Sequence, residues 1–224
     1  HHAPESSGSS CYNCHMPHTS YSLLKAIRAH QIDIPTVQAT LRTGRPNACN
    51  QCHLDRTMGC TADHLHTWYG MERPRLSLDE ESIAASILWL LRGHAGQRAF
   101  AAWTLGWDAA AETSGTDWMA PFLAPLLADP YPAVRAIAYR SLRKLRGFED
   151  FAYDRTGLAD VRDSAVLRAL PLWPRTSTSA SHLEPGRATL GAPAGNPQRG
   201  PGERLPPHPE NQIVSRRAWP PPPL

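Results

Sequence analysis

A chain of 224 residues, 41% of them hydrophobic, can hold one or two domains with real cores, but it is lean in apolar residues for a chain folded throughout. The net charge of +3 is small and no block of like charges forms a basic arm, which argues against nucleic acid as a partner. No apolar stretch approaches the roughly 18 to 20 residues needed to span a bilayer, so no transmembrane segment is expected. The first residue is His rather than Met, and no charged start followed by an apolar run marks a signal peptide; a processed start or a missing upstream portion would explain both.

The chain opens with His1-His2-Ala3-Pro4 and a polar loop over residues 5–10, which runs into Cys11-Tyr12-Asn13-Cys14-His15. The same pattern returns as Cys49-Asn50-Gln51-Cys52-His53. The pattern C-x-x-C-H reads as a c-type haem attachment site. Two thiols three positions apart can bond the two vinyl-derived carbons on one edge of a porphyrin, and the next residue can turn its imidazole onto the iron. Two copies predict two haems c, attached through Cys11, Cys14, Cys49 and Cys52, with His15 and His53 as proximal ligands. Paired C-x-x-C elements also make zinc sites, and a single one can be a redox dithiol, but neither requires the following His. With 11 His in 224 residues, a His after both pairs arises by chance in only ~0.3% of cases.

An iron held by one His needs a sixth ligand or an open position. Nine of the 11 histidines precede residue 95, alongside the motifs, which makes the early ones candidates. Met16 and His18 are too close to His15 to reach the far face of the same haem; Met16 reads as packing, while His18 could serve the other haem. His30 closes a short helical segment over residues 21–30, before Pro35 forces extension, and is the first choice for a distal ligand. A short helix is expected over residues 61–70, with Thr61 near its cap. It carries His64 and His66 on different sides as reserve ligands. In order of preference the distal candidates are His30, His2, His1, His18, His64 and His66. Cys60 reads as a buried or incidental thiol.

These residues resemble a family. Histidines ahead of C-x-x-C-H-M-P, an aromatic shortly after, a later His before Ile32-Asp33-Ile34-Pro35, and then P-N-A-C-N-Q-C-H-L-D look like the multihaem c-type cytochromes with doubled C-x-x-C-H motifs, a group that includes the pentahaem nitrite reductases and tetrahaem carriers. The resemblance covers roughly residues 1–70. It implies bis-histidine ligation with His30 and one of His1 or His2 as distal ligands, export to the periplasm or outside the cell before haem attachment, and electron transfer with redox partner proteins, other multihaem cytochromes or copies of itself. The chain departs from the family in having only two motifs and in lacking the lysine-bearing variant motif of the nitrite-reducing site.

From Leu76 the texture becomes helical. Ser77-Leu78-Asp79-Glu80 forms a capping box, and apolar residues recur at helical spacing to Arg92. Further helices are expected over residues 95–105, 117–127 and 129–147, the last opening with Asp129-Pro130-Tyr131-Pro132. Two helical pairs of about forty residues match the period of HEAT repeats, and residues 129–135 resemble the D-x-x-x-x-V-R signature of that repeat. Arg135, Arg140, Arg143, Lys144 and Arg146 are expected on a solvated face. Twelve of the 22 prolines fall between Pro174 and Pro223, so residues 151–224 read as an extended or disordered tail, with the Pro-rich end at Trp219–Pro223 a candidate polyproline segment.

The expected protein is mainly α. An irregular, haem-packed dihaem domain (residues 1–75) is followed by a HEAT-like helical domain (76–150) and a Pro-rich tail (151–224). Its expected function is electron transfer rather than catalysis. The alternatives are a haem reductase or its electron-feeding subunit, acting on a small nitrogen or oxygen species, and a docking subunit of a larger or polymeric cytochrome assembly.

Overall fold

Serine turns, helix caps and glycines punctuate residues 2–22 and 25–173, the part of the chain that the computed structural model describes. After a single 3-10 turn at Ser7–Ser9, helix α1 is one short turn, Cys11–His15. Strands β1 (His18–Ser22) and β2 (Lys25–Arg28) pair antiparallel, with an irregularity between His18 and Ser20. This hairpin replaces the helical segment expected over residues 21–30. Thr19, Ser20 and Ile27 are weak helix formers that extended backbone suits better.

Helix α2 (Val37–Thr43) opens with the Thr36 hydroxyl accepting from Ala39 N–H and ends at Gly44. The second motif begins on a 3-10 turn, Cys49–Gln51, and leads into α3, Met58–Tyr69. The cap of α3 is Thr57 rather than Thr61; Thr61 lies buried inside the helix, donating to Asn50 Oδ1 at 3.0 Å. Gly70 ends α3 in the left-handed conformation, φ 66°.

The capping box forms as expected: the Ser77 side chain accepts from Glu80 N–H, and the Glu80 carboxylate accepts from Ser77 N–H at 2.8 Å. The long helix expected behind it is broken into α4 (Leu78–Ser82) and α5 (Ala85–Arg92). Distant backbone takes over the groups between them: Ala84 bridges Thr57, and Ala85 N–H donates to Arg56 O at 3.0 Å. Helix α6 (Ala95–Thr104) is capped by His94, whose Nδ1 accepts from Gly96 and Gln97 N–H. Helix α7 (Asp108–Ser114) lies where the sequence suggested none. The helix expected over residues 117–127 is instead α8 (Ala120–Leu123) followed by a 3-10 segment, Ala124–Ala128. Pro125 has no N–H with which to continue the α ladder.

Helix α9, Pro132–Leu142, packs on α6 and on the 3-10 segment. Helix α10, Ala159–Ala169, corrects the reading of residues 151–173 as tail: Ala165 and Ala169 are fully buried in the main core. The Pro-rich part beyond Trp173, with the candidate polyproline segment, lies outside the described residues. Arg135 is a further correction. It is 6% exposed and donates to the carbonyls of Asp129, Pro130 and Arg155, fastening the entry to α9. Arg140, Arg143, Lys144 and Arg146 are exposed.

The main core joins Leu105, Met119, Leu123, Leu127, Ile137, Leu142 and Phe148 with Leu54, which follows the second motif directly. A smaller cluster joins Val37, Met58, Ala62, Leu65 and Ala85. Both clusters draw residues from either side of the boundary expected at 75/76, and all the described residues fall in one compact unit. Among them no helix is long and apolar enough to cross a membrane.

Candidate functional site

One helical turn sets the first motif. Cys11 and Cys14, three apart, share a face of α1, with Cys11 exposed and Cys14 half-buried. His15 follows on an exposed position, and its Nδ1 lies 2.8 Å from Asp33 O. Asp33 N–H returns a bond to His15 O at 2.8 Å, so two backbone segments clasp each other around the ring. An imidazole donating from Nδ1 to a carbonyl presents the lone pair of Nε2, the form in which His binds a metal. The Asp33 carboxylate is held in turn by Ile34 N–H at 2.8 Å and Arg45 at 3.2 Å.

The second motif is more enclosed. Asn47 Oδ1 accepts from Cys49 N–H at 2.9 Å, and Cys49 O accepts from the N–H groups of Cys52 and His53. Asn50 is fully buried, donating to Arg56 O and accepting from Thr61. Burial first, and the neighbouring Cys14 second, push the thiols of Cys49 and Cys52 up to about 12. Burial also raises Cys14 and Cys60, and all five thiols are free. Thiols so far from ionisation are poor nucleophiles for dithiol exchange. A thioether, by contrast, carries no charge and loses nothing by burial there. That Cys14 acts on both Cys49 and Cys52 also makes the two motifs spatial neighbours.

Arg28 joins them. Its guanidinium donates to Tyr12 O, Met16 O and Asn13 Oδ1, closing the C-terminal end of α1, and stands over the Tyr12 ring at 4.6 Å. The charge on Arg28 also opposes the upward shift of Cys52. Residue patterning did not single out Arg28 or Asp33, because each acts through backbone carbonyls that no motif records.

His53 is half-buried. Burial holds it below the usual histidine range, Asp55 opposes that shift, and Arg56 and His64 add to it. Its ring faces that of His2, with centroids 6.1 Å apart and planes 28° from parallel. His2 and His53 would together supply two imidazoles to one iron. With two free thiols and an imidazole in each motif, the donor set is chemically that of a covalently held haem. Three polar atoms near the second motif also lack a protein partner although buried: His18 Nδ1, Asn47 Nδ2 and Gln51 Oε1.

The other candidate ligands divide. His30 is exposed just beyond β2. His18 is packed against Trp103 (4.7 Å) and Trp107 (5.2 Å), and its carbonyl accepts from Gln51 Nε2 at 2.7 Å. His64 Nδ1 meets Cys60 O at 2.7 Å, its ring lies edge-on to Trp68, and Cys60 Sγ is 3.6 Å away. His66 is exposed, with Nδ1 at 2.8 Å from Met71 O. His1 lies outside the described residues. Among the described residues no group of three or more His, Cys, Asp or Glu side chains is placed to hold a metal ion, the arrangement a zinc site would need.

No protein-family model, curated protein or solved structure matches the chain.

Proposed function

We propose that the chain is a dihaem c-type cytochrome that transfers electrons. Cys11, Cys14 and His15 hold one haem, and Cys49, Cys52 and His53 hold the other. His2 is assigned as the sixth ligand of the second iron and His30 as that of the first. When bound, such a group takes up and releases one electron at its iron without bond making. The observation that carries the reading is the doubled C-x-x-C-H with free thiols, supported by the 6.1 Å pairing of His2 with His53.

The chain's own residues orient and shield. Asp33 O fixes the His15 ring, burial favours the neutral form of His53, and Arg28 braces the first motif through Tyr12, Asn13 and Met16. On this reading the protein is exported before attachment, and its partners are redox proteins, other multihaem cytochromes or further copies of itself. The helical part is read as a HEAT-like scaffold that carries the haem part and offers the Arg140, Arg143 and Arg146 side to acidic partners.

The test is the haem-to-protein ratio of the purified chain together with absorption and electron-spin spectra. Two covalent haems, both low-spin, are expected, and Cys14→Ser and Cys52→Ser should each lose one. A high-spin component in the unaltered protein would point instead to a reductase with an open iron position. Absence of covalent haem would sink both readings.

A further inference from the structure

We propose that Gly8 is a positioning residue for the sixth ligand of the second iron, its missing side chain being the space in which the His2 ring stands. The proposal rests on the dihaem reading and adds to it a residue that no motif contains. A Cβ on Gly8 would lie 2.6 Å from His2 Cγ and 2.8 Å from His2 Nε2, and would also overlap Cδ2. Carbons do not approach so closely, so any side chain at position 8 must push the ring away. Backbone conformation is not the reason for glycine here, since Gly8 is not among the glycines at positive φ; close approach is.

The strap that presents the ring is well tied. Ser6 N–H and Oγ both donate to Ala3 O, at 3.0 and 2.8 Å. Ser9 Oγ reaches Pro4 O at 2.7 Å and Ser6 O at 2.8 Å. Asn13, between the two cysteines of the first motif, donates from Nδ2 to Ser7 O at 2.7 Å. The strap is thus fastened to the first motif while its end meets His53 of the second. One haem site thereby presents a ligand to the other. A side chain at position 8 would have to displace His2 from His53, or displace a strap held by these bonds.

The experiment uses the full haem-loaded chain with His1→Ala as background, so that His1 cannot replace its neighbour. Gly8→Ala is expected to keep two covalent haems per chain while one of the two becomes high-spin, as with His2→Ala, and added imidazole should restore the low-spin spectrum in both variants. Glu5→Ala, an exposed change on the same strap, should stay low-spin. Low-spin spectra in Gly8→Ala alongside a high-spin His2→Ala would overturn the proposal and leave the function standing, and so would a fully low-spin His2→Ala. To separate ring placement from folding, Gly8→Ala is also made together with His2→Ala, where there is no ring to displace. An unchanged thermal midpoint relative to His2→Ala is expected there, and a clear drop would assign Gly8 to the fold and overturn the proposal. Absence of covalent haem in the unaltered chain would be the separate failure of the dihaem reading itself.

Discussion

Protonating His18 means placing a charge against two mutually stacked indole rings and beside Arg28. Burial is the larger cause and Arg28 the smaller, and together they lower the group from 6.5 to about 4. Between those values the unfolded chain binds a proton that the folded chain refuses. Stability from this site is therefore complete above pH 6.5 and drains away as the pH falls towards about 4. His18→Phe should remove that dependence and the orphaned Nδ1 with it. Urea midpoints of the haem-loaded protein at neutral pH and at about pH 4.5 are expected to differ less in the variant than in the unaltered chain. An equal or larger drop in His18→Phe would show that the ring is not the titrating group.

At the scale of elements, two glycines show how differently an end and a crossing are built. Gly70 closes α3 with φ 66°, and a Cβ there would meet nothing within 4 Å. Gly70→Ala should therefore cost only the left-handed backbone penalty, about 1 kcal/mol. Gly106 sits where α6 passes α9, and a Cβ would lie 2.7 Å from Ser141 Cβ and 2.9 Å from its Cα. Because α9 itself must retreat, Gly106→Ala should cost more, ~2–3 kcal/mol. Urea unfolding of the two variants checks the order, and equal losses would mean that the contact between α6 and α9 yields easily. The caps that position these helices were readable from a few neighbouring residues, as Ser77 with Glu80 shows. The break at Ile83 and Ala84 was not, because its cause is Arg56 and Thr57, nearly thirty positions earlier in the chain.

Across the whole molecule the peptide groups of Leu54 carry the connection between the second motif and the helices. Leu54 N–H donates to Ser114 Oγ at 2.8 Å, and Leu54 O accepts from Ser86 Oγ at 2.6 Å. Ser114 Oγ also donates to Cys52 O at 2.7 Å, so the residues on both sides of His53 are held by the helical part. Ser114→Ala removes the hydroxyl that accepts from Leu54 N–H and donates to Cys52 O, leaving Leu54 N–H only its 3.0 Å bond to Cys52 O, and should lower stability by ~1–2 kcal/mol. On the dihaem reading it should also broaden the spectrum of the second haem while sparing the first. Equal effects on both, or none, would show that the helices do not brace that site.

The sequence by itself determined the chemistry on offer and most of the local punctuation. Both C-x-x-C-H motifs, the candidate ligands, the Ser77 box and the mainly helical class depend on residues within a few positions of one another. Tertiary structure alone decided which groups meet. It stacked His2 on His53, set His18 against the paired Trp103 and Trp107, buried Arg135 against three carbonyls, broke the helix before Ala85 and brought α10 into the core. These outcomes turn on the burial of polar groups, whose cost depends on partners tens of residues away, and periodicity does not register such partners.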